Sequence, residues 1–280
     1  MLLTVDGVQA YCYTGGKAFN PAQPTAVFIH GAQNDHSVWG LQTRYFAHHG
    51  YNVLAVDLPG HGRSKGDART SVEALADWLL ALLDVAGVEK AALFGHSMGS
   101  LIALESAFRA PARVTHLGML GSTWPMKVSD ALLETSRSDE SAAIDMVNIW
   151  SHSTMSQKPS CPGPGFYTMG GSQRLMQRIS AINPALVFHT DFSACNSYAN
   201  GEAAAQSIRC PTLFIFGSKD MMTPPRSAKL LTTTIAHCKV VSVDSGHSMM
   251  SEQPDAVLDA LFSFVRSDAG QQGVAGQPKA

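Results

Sequence analysis

The residues that could do chemistry in this chain are a serine, an aspartate and a histidine, each set in a glycine-containing turn. Ser97 is the centre of Gly95-His96-Ser97-Met98-Gly99, a G-x-S-x-G pentapeptide. It stands between the apolar run Ala91-Ala92-Leu93-Phe94 and the run Leu101-Ile102-Ala103. A strand that turns sharply into a helix forces its middle residue into strained backbone, and only small residues fit two positions away. The hydroxyl then sits at a helix N-terminus, where unpaired N–H groups can stabilise developing negative charge. A serine becomes a nucleophile only beside a base, and the base needs an acid to orient it. Asp220, in Gly217-Ser218-Lys219-Asp220, supplies the acid, and His247, in Ser245-Gly246-His247, the base. Asp244 is the competing acid, but it lies close to His247 in sequence. The chemistry of such a set is attack on a carbonyl, an acyl intermediate, and its release by water.

These residues need a scaffold that brings distant loops to one edge. Residues 1–13 alternate around Asp6-Gly7 and read as a β-hairpin. Strands are expected at 25–29, 52–56, 91–95, 114–120, 212–216 and 239–243, and helices at 39–49, 71–86, 226–235 and 254–267. Repeated βα units after a hairpin predict a mainly parallel twisted sheet with helices on both faces, its chemistry at the C-terminal strand ends. From Ser122 to Ser207 the alternation stops. Helices are expected there at 130–137, 140–151, 172–182 and 184–200, with a Pro/Gly-rich piece at 158–165 that reads as a lid. The expected organisation is a core of residues 1–121 and 208–267, a helical cap of residues 122–207 after the sixth strand, and a disordered tail of residues 268–280.

The motifs His30-Gly31, Asp57-Leu58-Pro59-Gly60-His61-Gly62-Arg63-Ser64, Gly95-His96-Ser97-Met98-Gly99, Cys210-Pro211-Thr212 with Gly217-x-x-Asp220, and Gly246-His247 together resemble the α/β-hydrolase superfamily over residues 3–266. The chain order Ser97, Asp220, His247 is the order known for that family. The resemblance implies an α/β fold and a serine hydrolase of the carboxylesterase kind. It places the oxyanion hole on the backbone N–H groups of Met98 and Ala32, with Gln33 as the alternative to Ala32. His30, His61 and His96 are expected to brace loops, and Asp57 to fix the turn after it. Family relatives with an aspartate nucleophile are set aside because the elbow residue is Ser97.

Composition excludes several other classes. The chain has 280 residues, 45% hydrophobic and only 15% charged, with a formal net charge of −2. No basic surplus points to nucleic acid, and no apolar run is long enough to span a bilayer. The N-terminal apolar run is too short, and too poor in basic residues, for a signal peptide. The five cysteines are scattered, with no C-x-x-C pair, as expected of reduced thiols in a cytoplasmic protein. The histidines match no metal spacing, and no nucleotide-binding glycine motif is present, so neither metal nor cofactor is expected. A homo-oligomer stays open.

The substrate is expected to be a medium-sized, apolar small molecule. Trp39, Trp124, Met126, Trp150, Phe192, Met221 and Ser248 are the candidate pocket residues, since methionines and aromatics line adaptable apolar sites. Taken singly, each reads first as core between cap and sheet; as a set they point to the pocket. The triad does not separate ester cleavage from lactone, enol-lactone, thioester or vinylogous C–C cleavage, from perhydrolysis, or from cofactor-independent oxygenation. For C–C cleavage the family resemblance implies a tryptophan after the histidine, where this chain has Ser248. A non-catalytic ligand receptor on the same fold is the reading from another class.

Overall fold

The computed structural model describes residues 1–153 and 165–267. Eight strands form one sheet: β1 Leu2–Val5, β2 Val8–Tyr13, β3 Thr25–Ile29, β4 Asn52–Val56, β5 Ala91–His96, β6 Val114–Leu120, β7 Thr212–Gly217 and β8 Cys238–Val243. Their order is β1-β2-β4-β3-β5-β6-β7-β8. The hairpin β1–β2 joins β4 antiparallel, and every other pairing is parallel. The parallel strands β3, β4, β5 and β7 are buried at every residue, which is why they read as continuous apolar runs rather than alternations.

Alternate side chains of each strand feed two separate cores. Ala26, Phe28, Val53, Ala55 and Phe94 pack against α1 (Gly40–His48) and α11 (Pro254–Ser267). Val27, Ile29, Leu54, Val56 and Leu93 pack on the other face, against α2 (Val72–Val85) and α3 (Met98–Arg109). Each fully buried Phe or Leu contributes about 1.5–3 kcal/mol, so the two cores fix the register of the strand ends that carry the loops.

Between β6 and β7 lie five helices: α4 Asp130–Ser138, α5 Glu140–Ser151, α6 Gly165–Ile182, α7 Val187–Ser197 and α8 Gly201–Ser207. The helix α6 starts earlier than sequence spacing suggests and runs through Gly170-Gly171. There packing outweighs a propensity cost of about 1 kcal/mol per glycine. The long helix expected at 184–200 is shorter: the left-handed Leu186 precedes it, and the separate α8 follows, opening at Gly201. The helix expected from Trp39 opens instead as a 3-10 turn, His36–Trp39, capped by the Asp35 carboxylate. A 3-10 turn, Pro225–Ala228, likewise precedes α9 (Lys229–Thr234). The short α10 (Met249–Glu252), directly after His247, carries no periodicity long enough to show in the sequence. The expected lid at 158–165 reaches the described residues only at Gly165, the first residue of α6, and the expected disordered tail lies outside them. Among the described residues no helix is long and apolar enough to cross a membrane. Cys12, Cys195, Cys210 and Cys238 are free thiols, and burial pushes Cys12 up to about 12.

Candidate active site

The turn from β5 into α3 has the shape its glycines require. Ser97 sits at φ 53° and ψ −120°, a conformation that costs a non-glycine residue roughly 1–3 kcal/mol. A Cβ on Gly95 would fall on the Gly99 carbonyl, and one on Gly99 would fall on the Ile29 carbonyl. Backbone cannot yield as a flexible side chain can, so both positions require glycine. The strain is held by the Ser97 N–H bonding Leu120 O at 2.9 Å, and by the Ser100 N–H and hydroxyl bonding Ser97 O at 2.9 and 2.6 Å. Within Ala91–Ser100, Ser97 alone is incompletely buried.

Asp220 and His247 come together although 27 residues separate them. The His247 Nδ1–H donates to Asp220 Oδ2 at 2.8 Å. The same oxygen accepts the Thr223 hydroxyl at 2.8 Å, while Oδ1 accepts the N–H groups of Met222 and Thr223 at 2.8 Å each. Burial alone would raise the Asp220 carboxyl. The His247 charge and these hydrogen bonds outweigh burial and hold it well below the usual carboxylate range. Asp244 lies on the surface, paired with Lys219 at 2.7 Å, so the structure brings Asp220 and not Asp244 to His247. Thr223 was not legible as part of this group. Its one signal is its place three residues after Asp220, where a hydroxyl can reach back to the carboxylate.

The histidines around the cavity differ in what their two ring nitrogens meet. Leu58 N–H donates to His30 Nε2 at 3.1 Å, and His30 Nδ1–H donates to Gly31 O at 2.8 Å, so the ring is neutral. Burial and the nearby His61 push it down to about 4. His96 donates from Nε2 to the His247 carbonyl at 2.9 Å, and burial and His247 push it down to about 3. His61 faces acceptors on both sides: Pro59 O at 3.0 Å from Nδ1 and Asp191 Oδ2 at 2.8 Å from Nε2. Burial opposes its charge, but Asp191 wins and raises it. All three brace loops, as expected.

The same contacts orient the loop after β3. The Gly31 carbonyl points at the His30 ring, and N–H and C=O of a trans peptide point opposite ways. The Ala32 N–H is therefore turned away from His30. Among the described residues, neither the Ala32 nor the Met98 N–H has an acceptor, and Ala32 lines the cavity beside Ser97. The alternative donor is overturned: the Gln33 N–H is already given to Asp191 Oδ2 at 2.8 Å. Gln33 is left-handed at φ 55°. This costs about 1–2 kcal/mol, and a hydrogen bond to a charged acceptor, worth about 1.5–3 kcal/mol, offsets it.

Ser97, His96, His247 and Ala32 line a cavity of about 260 Å³. A second lobe of about 160 Å³ adjoins it and shares Ala32, Ser97, Phe192 and Met222. The larger lobe is rich in uncharged polar groups, among them Asn34, Ser37, Ser151, Thr168, Ser172 and Ser251. The smaller one is lined by Met126, Val128, Leu132 and Trp150 together with Lys127, Ser129 and Thr223. Of the candidate pocket residues, Met126, Trp150, Phe192, Met221 and Ser248 line these lobes. Two do not. Trp39 is fully buried and packs on Phe28 at 5.4 Å between ring centroids, in the core against α1 and α11. Trp124 is packed against Gly201 and donates to Tyr198 O at 3.2 Å, away from both lobes.

Among the described residues, Asp35, His36 and Asp57 are the group whose side-chain ligand atoms approach within 4.8 Å. Their carboxylates already serve donors. Asp57 accepts from His36 and from Arg63 N–H, fixing the turn after it, and Asp35 accepts from Ser37 and Arg178. That donor set describes a braced loop and offers no open ligand face.

An eight-stranded, mostly parallel sheet with a left-handed serine at a strand–helix turn defines an α/β hydrolase. The chain belongs to the alpha/beta hydrolase family, whose model matches residues 26–260. It is 26% identical over 247 residues to a 3-oxoadipate enol-lactonase of Acinetobacter baylyi, covering 87% of this chain and 89% of that one. It is 23% identical over 256 residues to an (E)-2-((N-methylformamido)methylene)succinate hydrolase of the same species, covering 86% and 90%. Among solved structures, the enol-lactonase of Burkholderia xenovorans LB400 superposes with a TM-score of 0.80 at 21% identity, over 95% of this chain and 100% of that one. A thermophilic esterase of Thermogutta terrifontis gives 0.78 at 21%, over 95% and 98%. Family and relatives support a hydrolase.

Proposed function

We propose that this protein is a serine hydrolase that cleaves a carboxylic ester through an acyl-enzyme, with Ser97 as nucleophile, His247 as base and Asp220 as orienting acid. The observation that carries this reading is the buried Asp220–His247 pair opening onto the same cavity wall as the strained Ser97. His247 Nε2 takes the Ser97 proton as the hydroxyl oxygen bonds the ester carbon. The Ala32 and Met98 N–H groups hold the oxyanion. The tetrahedral intermediate collapses, and the leaving alkoxide departs with the proton from His247. Water then adds to the acyl carbon with His247 as base, releasing the acid and restoring Ser97.

Two lobes of different size meeting at Ser97 support a substrate with two halves of unequal size. An apolar cavity of about 150 Å³ holds a benzene-sized group, so the smaller lobe fits a short acyl or aryl group of that size. The larger lobe, lined by Val147, Leu175 and Met176 as well as by serines, suits a larger neutral group, mainly apolar with a few hydrogen-bonding atoms. The helices α4–α7, which supply Leu132, Ser151, Ser172 and Phe192 to the lobes, act as the cap that selects it. A lactone is the second reading, favoured by the identity to the Acinetobacter enol-lactonase over most of both chains.

Fluorophosphonate labelling tests the reaction. Wild type labels at Ser97 and Ser97→Ala does not, while folded Ser97→Ala retains no ester turnover. Labelling elsewhere, or ester turnover by Ser97→Ala at the wild-type rate, overturns the proposal. A panel of p-nitrophenyl esters, lactones and ring-fission diketones separates the readings of the substrate.

A further inference from the structure

The loop that carries Ala32 is fastened to the helices between β6 and β7 rather than to its own strand. Gln33 gives its backbone N–H to Asp191 of α7 at 2.8 Å, across 158 residues of sequence. Its side-chain amide donates to Ser180 Oγ at 2.8 Å and Met176 O at 3.1 Å, both on α6. Two residues on, Asp35 accepts from Arg178 of α6 at 2.8 Å. The Ala32 carbonyl accepts from Asn34 Nδ2 at 2.9 Å. The peptide between Ala32 and Gln33 is therefore held at both its carbonyl and its N–H.

Asp191 is the central tie among these. It is almost fully buried, and its Oδ2 accepts two donors, Gln33 N–H and His61 Nε2–H. His61 meets an acceptor at each nitrogen, a pattern that only the doubly protonated ring satisfies against an ionised partner. A carboxylate buried without a cation would lose its charge. His61 is thus the partner of Asp191 on the far side, and the oxygen between them accepts from Gln33 N–H where Gln33 is left-handed. With the Ala32–Gln33 peptide anchored at both ends, Ala32 is fixed on its C-terminal side, and losing the Asp191 anchor frees the Ala32 torsions that direct its own N–H.

We propose that Asp191, with His61 as its counterion, is a positioning residue for the oxyanion, acting through Gln33 on the direction of the Ala32 N–H. The proposal rests on the serine hydrolase reading above. It makes the seating of α7 on the core a condition of transition-state stabilisation, and not only of substrate selection.

The test compares matched oxo- and thiono-ester substrates in Asp191→Ala and Asp191→Asn. Sulfur is a weak hydrogen-bond acceptor, so the preference for the oxo-ester reports how well the oxyanion donors are placed. Removing an oxyanion donor outright costs about 10²–10³ in kcat. Misdirecting one in Asp191→Ala should lower kcat by about 10–100-fold, leave KM within about threefold, and shrink the oxo/thiono preference. Asp191→Asn keeps an acceptor for Gln33 without the charge. It should fall between wild type and Asp191→Ala in both kcat and preference, and it carries the test if Asp191→Ala does not fold. A folded variant with wild-type kcat overturns the proposal, as does one whose kcat falls while the oxo/thiono preference stays at the wild-type value. If wild type itself fails to label at Ser97, the serine hydrolase reading has failed, and that outcome is distinct from either.

Discussion

Replacing Asp220 by asparagine tests the proposed relay at its least visible member. The carboxylate accepts four hydrogen bonds, two on each oxygen. The Oδ1 site faces two backbone N–H donors, from Met222 and Thr223, so the amide oxygen of the introduced asparagine must take it. The NH₂ then occupies the Oδ2 site, facing the Thr223 hydroxyl and His247 Nδ1. The hydroxyl can rotate and accept, but the imidazole must present a lone pair at Nδ1. Its proton moves to Nε2, the nitrogen that has to receive the Ser97 proton. The side chain stays in place with the wrong tautomer, a change worth about 10⁴-fold in kcat in serine proteases. At about 1.36 kcal/mol per decade that is roughly 5.4 kcal/mol of barrier. KM should stay within about threefold, since binding is untouched. The assay is steady-state ester hydrolysis by Asp220→Asn, with Asp244→Asn as control, expected within about twofold of wild type because Asp244 is exposed and paired with Lys219. A folded Asp220→Asn with kcat within tenfold of wild type would refute the relay, as would equal damage from Asp244→Asn.

The remaining predictions probe the elbow, the smaller lobe and the acid side of the stability curve. Gly99→Ala should destabilise the protein by about 3 kcal/mol or more in urea denaturation, because the new methyl meets the Ile29 and His30 carbonyls. Gly170→Ala in α6 has open space around it and should stabilise by about 0.5–1 kcal/mol; a destabilised Gly170→Ala would contradict the helix. Trp150→Ala enlarges the smaller lobe, and should shift the ratio of kcat/KM for hexanoyl over acetyl esters upward by about tenfold. An unchanged ratio would place the acyl group elsewhere. Because Asp220 is held below its unfolded value, its contribution to stability is complete above about pH 4 and is lost as the pH falls from there toward its folded value. The stability difference between wild type and Asp220→Asn, read by urea titration from pH 6 to pH 2, should therefore narrow with acidification; a constant difference would rule the linkage out.

What the sequence disclosed was local. The elbow is a contiguous stretch, and its demand for small residues at Gly95 and Gly99 is written in the pentapeptide. The buried parallel strands announce themselves as apolar runs, and Asp220 and His247 each follow a strand within a few residues. What it concealed depends on contacts between distant segments. Trp39 directly follows a loop of the site in sequence, yet its ring packs on Phe28 in the core against α1 and α11. Trp124 lies just beyond β6 but is held by Gly201 and Tyr198. The hydroxyl-rich lobe is assembled from single serines on several elements, each ordinary by itself. The tie from Gln33 to Asp191 has no sequence signature, because its two ends share neither a motif nor a period.

The histidines show most clearly how structure assigns a role that residue type leaves open. His30, His61, His96 and His247 all stand in or beside glycine-containing turns, and each could be written as a base. A base in this cavity needs one nitrogen fixed as a donor to an acid and the other bare toward the nucleophile. His30 uses both nitrogens on backbone groups. His61 meets Pro59 O at Nδ1 and Asp191 Oδ2 at Nε2, so neither nitrogen is bare toward the nucleophile. His96 spends Nε2 on the His247 carbonyl, and its Nδ1 is buried without a partner, in surroundings that keep the ring neutral far below physiological pH. His247 alone among the four pairs a carboxylate at Nδ1 while lining the wall that holds Ser97. The other three supply the conditions for its use. His96 bonds its backbone carbonyl, His30 turns the Ala32 peptide, and His61 pairs with Asp191 against the same loop. The proposed base is thus flanked by three histidines whose ring nitrogens are engaged in hydrogen bonds or buried.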